Sequence, residues 1–298
     1  MTVIRQGVEA EEVRQSAKYT LFVEGKDESA IDPRVLTDLL EGMPIQIRAM
    51  GPSSHIRSVA EALHKHHPYY FFLVDRDFHE NDSVEKCWQQ FPSENTCNLL
   101  IWRRKELENY FLIPEYLMKS KWLRCSENDL KERIRLLARE RIFLDAANMV
   151  IIDSREKMKK NWVDSFKDSD RQRFRTKEEA LEQLLQREDF PHKIRDVSKK
   201  LHRDFLVQCF EEVVNNLFGG QNDLIYGQGT WLEMVSGKSL LSTLISACFR
   251  AKDIKGKILQ GNERLTAIVR ELLKLPIEEQ PNDFRELYKL ISIQMRSA

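Results

Sequence analysis

Three carboxylates in this chain stand where metal chemistry can be done. "YTLFVEGKDESAI", from Tyr19 to Ile31, is an apolar run rich in β-branched and aromatic residues that ends in Glu24. "YYFFLVDRDFHEN", from Tyr69 to Asn81, is a second such run, and it ends in Asp75 and Asp77. Both read as buried strands. In a parallel sheet, ligands gather at the carboxyl ends of the strands, so all three acids fall at that edge. Asp77 follows Asp75 by two positions, and the two-residue period of extended chain turns both side chains the same way. Crowded carboxylates repel one another, and a hard cation that prefers oxygen ligands, Mg²⁺ or Mn²⁺, relieves them. Gly25 permits a tight turn and a close approach of phosphate to the backbone, with Lys26 beside it as a donor. Taken singly, each acid is better explained as a strand-end or cap residue. The combination, with strand and helix alternating between the two sites, is more specific.

The elements that must position these acids are legible from periodicity. After the first strand, "ESAIDPRVLTDLLEG" keeps Ile31, Val35, Leu36, Leu39 and Leu40 at helical spacing, and Gly42 and Pro44 punctuate its end. "IQIRAMG" (45–51) alternates as a short strand. "PSSHIRSVAEALHKHHP" has serines in front, Ile56, Val59, Ala60 and Leu63 on one face, and Pro68 as a stop. "CNLLIWRR" reads as a fourth strand. Strict alternation predicts an α/β fold with a mainly parallel sheet flanked by helices and joined by right-handed crossovers. From about Glu108 the rhythm changes to a period near 3.6, with no further strand expected. The expected division is an α/β domain over 1–120 and an all-helical second half over 121–298, with a polar joint near 165–176.

The bulk numbers narrow the setting. The 47 basic and 47 acidic residues cancel, so polyanion binding has to come from a local patch. No apolar stretch is long enough to span a bilayer, and the first residues lack the apolar core of a secretory signal. Five dispersed cysteines without a C-x-x-C pair suggest reduced thiols. A cytoplasmic protein without membrane contact is the expectation.

"LFVEGKDESAI…AMGPSSHIRSV…FFLVDRDF" resembles a TOPRIM domain, the metal-binding fold of topoisomerases, primases, small ribonucleases and OLD-type nucleases, over roughly residues 18–120. The resemblance implies that Glu24, Asp75 and Asp77 bind divalent metal. Glu28 stands where OLD-like members add an acid one helical turn on, and Gly51 matches a turn glycine. Topoisomerase and primase domains often continue D-x-D-x-x-G, and "DRDFHEN" has no such glycine.

The next segment, "LLIWRRKELENYFLIPEYL" (99–117), is similar to stand-alone TOPRIM proteins related to OLD nucleases, which places Glu108 at the metal site. There it can serve a second metal, with Arg103, Arg104 and Lys105 holding phosphates. A first-turn acid favoured by the helix dipole is the plainer alternative. Gly237-Lys238-Ser239 is no Walker A loop, because Leu232 stands where its glycine belongs. The same relatives carry a G-K before a leucine-rich helix, which makes Lys238 a candidate for reaching the substrate. Glu24, Asp75, Asp77, Glu108, Lys26 and Lys238 are thus the candidate catalytic residues, and Glu24, Glu28, Asp75, Asp77 and Glu108 the candidate ligands of Mg²⁺ or Mn²⁺.

The chain also resembles the TOPRIM effector subunits of the PARIS anti-phage defence system. It implies an ATPase subunit as partner, a homodimer when active, and cleavage of transfer RNA that stops translation. An OLD-like DNA nickase and a non-catalytic interaction module docking on an ATPase are the alternatives. Two basic segments, 155–177 with Trp162, Phe166 and Phe174, and 192–203 with His192, Arg195, Lys199 and His202 near one helical face, are candidates for phosphate and base contacts. Solvated helix faces explain them as well. The histidines of "HKHHP" read as a surface cluster, and His79 as a possible proton-transfer or substrate contact.

Overall fold

A computed structural model describes residues 19–77, 79–160 and 176–296. Its first part alternates as expected: β1 (Thr20–Val23), α1 (Ile31–Leu39), β2 (Gln46–Ala49), α2 (Ser53–Leu63), β3 (Tyr70–Val74), α3 (Asn81–Gln90) and β4 (Leu99–Ile101). The four strands form one parallel sheet in the order β2-β1-β3-β4. Every residue of β1 and β3 is buried, which is why both read as unbroken apolar runs rather than alternating ones. Phe22 stacks on Phe72 at 5.3 Å between ring centres, pinning the two central strands in register.

The chain leaves β1 toward β2 on one side and then crosses to β3 on the other. The strand order therefore reverses between β1 and β3, the kind of switch point at which open α/β sheets bind ligands, outside the carboxyl ends of the strands. Glu24 follows β1 and Asp75 follows β3, so the fold delivers both acids to that switch point.

A 3₁₀ helix (Leu107–Leu112) and α4 (Pro114–Leu117) follow β4, and the α-helices of the described residues beyond them are α5 (Glu127–Lys160), α6 (Lys177–Leu185), α7 (Asp189–Lys200), α8 (Arg203–Phe218), α9 (Trp231–Met234), α10 (Gly237–Cys248), α11 (Gly261–Leu273) and α12 (Asn282–Arg296). The change of rhythm after Glu108 is real, but it does not mark the edge of a compact unit. One unit takes the described residues up to Arg141 together with those from Thr230 onward, and the other takes Ile142–Gly229. The last helices thus belong with the sheet and not with a separate helical half beginning at 121. The reason is packing. Phe284 of α12 sits 5.7 Å from Trp102 and 4.9 Å from Tyr110 between ring centres, and Arg270 of α11 pairs with Asp38 of α1 at 3.2 Å. The expected joint near 165–176 lies outside the described residues except for Thr176, which caps α6. No helix among the described residues is long and apolar enough to cross a membrane.

Candidate functional site

Glu24 and Asp75 are joined directly. The Asp75 backbone N–H donates to Glu24 Oε1 at 2.9 Å, a bond across the two central strands. The Asp75 side chain is only 2% exposed, and its Oδ1 accepts the Leu107 N–H at 3.2 Å. Gly25 turns the chain away from the site with φ +150°, and a Cβ there would lie 3.0 Å from the Ala30 side chain. Its absence lets α1 begin close behind β1.

Asp77 joins the group by a route other than strand alternation. β3 ends at Val74, and Asp77 adopts the left-handed conformation with φ +48°. Its N–H donates to the Lys105 carbonyl at 3.2 Å and its Oδ2 faces Ser53 Oγ at 3.5 Å, at the start of α2. Arg76, between the two aspartates, braces the turn: it donates to the Arg103 carbonyl at 2.7 Å and the His79 carbonyl at 3.2 Å. His79 shapes this turn through its backbone.

Glu108 sits on the 3₁₀ helix after β4, 5% exposed, and its Oε2 has no hydrogen-bond partner among the described residues. A fifth carboxylate was not anticipated. Asp32, in the first turn of α1, is 6% exposed and lies in the electrostatic field of Asp75, Glu108 and Glu24. In sequence it reads only as a helix-start acid before Pro33, a position the helix dipole favours in any protein. Glu28 and Lys26, by contrast, are both exposed on the loop before α1, unlike the buried and half-buried acids of the group.

Lys238 enters from far downstream in the chain. Its Nζ donates to Asp75 Oδ2 at 2.8 Å, while half of its side-chain surface stays open to solvent. The helix that carries it is docked with care. The Lys238 N–H donates to Glu106 Oε2 at 2.8 Å, a carboxylate at a helix N-terminus where the dipole favours it. Gly237 lies against Asn109, whose side chain donates to the carbonyls of Leu232 at 3.2 Å and Val235 at 2.8 Å. Leu240, Leu241, Leu244 and Ile245 bury the apolar stripe behind it. Glu106, the acceptor of this docking, was not singled out in the sequence, since its partner lies 132 residues away.

The electrostatics are those of a group short of positive charge. Burial, then the Asp75 charge, raises the Glu24 pKa to about 7, and burial raises that of Glu108 to about 7 against the pull of Lys238. Burial raises Asp75, Asp77 and Asp32 as well. Burial disfavours the Lys238 ammonium, but Asp75, Glu108 and Asp32 more than offset it and hold its pKa above the ordinary lysine value.

A pH dependence follows. Unfolded, Glu24 and Glu108 titrate near 4.5; folded, near 7. Between those values the folded chain binds more protons, so its stability falls as pH rises through that window. In chelator, the melting temperature is expected to be higher at about pH 5.5 than at about pH 8, with a slope that Glu24→Gln plus Glu108→Gln flattens. Thermal denaturation at both pH values checks it, and an equal slope in the variant contradicts it.

Other expected contacts fall elsewhere. Arg103 is committed to Glu85 at 2.8 Å, Asp283 at 3.0 Å and Glu286 at 2.7 Å, and it lies over the Trp88 ring. Arg104 donates to the Leu232 carbonyl at 3.4 Å, and the Lys105 backbone links Asp77 to Glu233. These three are parts of the scaffold. His64 is buried with Nδ1 at 2.9 Å from the Ala60 carbonyl, and His67, half-buried, stacks on Tyr70, so of the expected surface cluster His66 alone is fully exposed. The 192–203 segment is interrupted: α7 ends at Lys200, and His202 caps α8 by accepting from the Asp204 N–H at 3.4 Å. His202 therefore leaves the face of His192, Arg195 and Lys199. Of the 155–177 segment, Trp162, Phe166 and Phe174 lie outside the described residues.

No family model matches the chain and no curated protein matches it.

Proposed function

We propose that this chain is a metal-dependent phosphodiesterase that cuts nucleic acid, with Glu24, Asp32, Asp75, Asp77 and Glu108 as the carboxylates that hold the cation. The observation that carries the proposal is the Glu108 Oε2 atom, buried without a hydrogen-bond partner among the described residues and set in the field of Asp32 and Asp75. A buried carboxylate oxygen left unpaired costs about 1–3 kcal/mol or more, a cost that a cation removes. Among the described residues no three acids, histidines or cysteines already close around a common point, and the Lys238 ammonium supplies positive charge instead. The donor set fits Mg²⁺ or Mn²⁺, since every candidate ligand is a hard carboxylate oxygen.

When bound, such a cation polarises the scissile phosphate and brings a bound water's pKa toward neutrality. The protein's own groups do the rest. The Asp75 and Leu107 N–H groups fix the orientation of the Glu24 and Asp75 carboxylates, so they need not reorganise during the reaction. Lys238, half exposed over Asp75, can meet a phosphate oxygen, and Lys26, exposed on the loop after Glu24, is a further candidate donor. Transfer RNA as substrate, release from an ATPase partner and a homodimeric active form extend the proposal on the resemblance of "LFVEGKDESAI", "FFLVDRDF" and "ENYFL" to stand-alone OLD-like TOPRIM effectors of anti-phage defence.

The test is incubation of the chain with total cellular RNA and supercoiled plasmid in Mn²⁺ or Mg²⁺, beside Glu24→Ala. Discrete transfer-RNA fragments from the unmodified chain alone support the proposal in full. Nicked plasmid with intact RNA keeps the phosphodiesterase and moves the substrate to DNA. No cleavage of either, also after co-expression with a partner ATPase, overturns it.

A comparison of two acids separates the sequence pattern from the structure. Asp32→Asn is expected to lower the cleavage rate by about a hundredfold, as loss of one preorganised charge does in a dry site. Glu28→Gln, on the exposed loop, is expected to change it by less than about threefold. Initial rates at saturating Mn²⁺ check both, and the opposite ranking would return the ligand role to Glu28.

A further inference from the structure

We infer that the Lys238 ammonium is an exchangeable counter-ion: it holds the cation's place at Asp75, yields it when a divalent cation binds, and is thereby freed for the substrate's phosphate. This rests on the metal-dependent reading above and adds to it an order of events at the same carboxylate.

The geometry points to exchange rather than to a permanent ion pair. Asp75 is almost wholly buried, with Oδ1 taken by the Leu107 N–H, so Oδ2 is the oxygen turned toward a cation, and Lys238 Nζ lies 2.8 Å from it. The Lys238 charge acts on all five carboxylates: Glu24, Asp32, Asp75, Asp77 and Glu108. One ammonium is hydrogen-bonded to a single oxygen of the group, Asp75 Oδ2. A divalent ion carries twice the charge and takes several oxygens at once.

The two partners are also unequally held. Asp75 is fixed by the sheet. The Lys238 backbone is fixed too, by Glu106 at 2.8 Å and by the close seat of Gly237 on Asn109. Its side chain, however, is half in solvent on a flexible four-carbon stem. Leaving Asp75 returns the ammonium to water and requires no helix to move, and the incoming cation replaces the positive charge it withdraws. The orphaned Glu108 Oε2 fits the same picture, because the single ammonium does not satisfy it and an incoming ion can.

The experiment measures Mn²⁺ binding by titration calorimetry for the full chain and for Lys238→Met. In parallel, the unmodified chain is acetylated with an amine-reactive ester, with and without Mn²⁺, and read by peptide mass spectrometry. Removing the competitor is expected to tighten Mn²⁺ binding by roughly tenfold or more, the worth of one charge-assisted hydrogen bond. Mn²⁺ is expected to raise acetylation of Lys238 several-fold while exposed Lys274 stays constant. Equal or weaker Mn²⁺ binding in Lys238→Met, with Lys238 labelling unchanged in the unmodified chain, overturns the exchange and leaves the metal site standing. No Mn²⁺ binding in either protein overturns both. Should Lys238→Met fail to fold, the labelling result alone decides.

Discussion

Asp75→Asn is expected to lower nucleic-acid cleavage on the order of a thousandfold while leaving the fold intact. Asparagine retains a carbonyl oxygen for the Leu107 N–H, so the bond at 3.2 Å that ties the 3₁₀ helix to the end of β3 survives. What is lost is the negative charge at Oδ2, the atom that faces Lys238 and stands at the sheet's switch point. An amide nitrogen there confronts an ammonium with a second donor and gives a cation nothing to bind. Several kcal/mol of transition-state charge stabilisation depend on such a carboxylate, which corresponds to about three decades in rate. Single-turnover cleavage rates, with circular dichroism as the control for folding, measure the loss. A variant that keeps its rate within about tenfold places the chemistry away from Asp75.

Gly237→Ala is expected to destabilise the protein, although the same change in an ordinary helix stabilises by roughly 0.5–1 kcal/mol. The sign is what makes it informative. A Cβ on Gly237 would lie 2.6 Å from Asn109 Oδ1 and 2.7 Å from Asn109 N, closer than such atoms approach. Asn109 has nowhere to go: it is fully buried, donates to Leu232 and Val235, and accepts from the Glu106 N–H at 3.2 Å. Either those bonds break or the start of α10 lifts away, at a cost of about 1–3 kcal/mol by analogy with other overpacked cores. Lifting α10 also draws Lys238 from Asp75. Thermal or urea denaturation is expected to show the loss, and cleavage is expected to fall with it. A stabilised Gly237→Ala protein would mean that α10 is not seated on the 3₁₀ helix.

Much of this site was written in the local pattern. Glu24, Asp75 and Asp77 end apolar runs, and a parallel sheet carries such residues to one edge whatever the rest of the chain does. Even so, the two aspartates come together through a left-handed turn braced by Arg76 and not through the pleat of a strand. Glu108 and Lys238 were singled out only through the resemblance of their motifs to a known family. Nothing in residue spacing says that a lysine 163 positions after Asp75 will touch it.

Asp32 was hidden for a different reason: an acid before proline at a helix start has a local explanation, and burial among other acids is a tertiary fact. Arg103 shows the converse. It looked like a phosphate anchor, because its acidic partners Asp283 and Glu286 lie on α12, about 180 residues on. The same long-range packing moved the division of the chain from residue 120 to the boundaries at Arg141 and Thr230. Periodicity reports which face of a helix is apolar and is silent on what that face will cover.

The most direct measurement is an anomalous difference map from crystals of the full chain soaked in Mn²⁺. A peak bounded by Glu24, Asp32, Asp75, Asp77 and Glu108, with the Lys238 ammonium withdrawn from Asp75, is the expected result. A map with no peak among these carboxylates at saturating Mn²⁺, and Lys238 still on Asp75, would contradict the claim that they are gathered to hold metal.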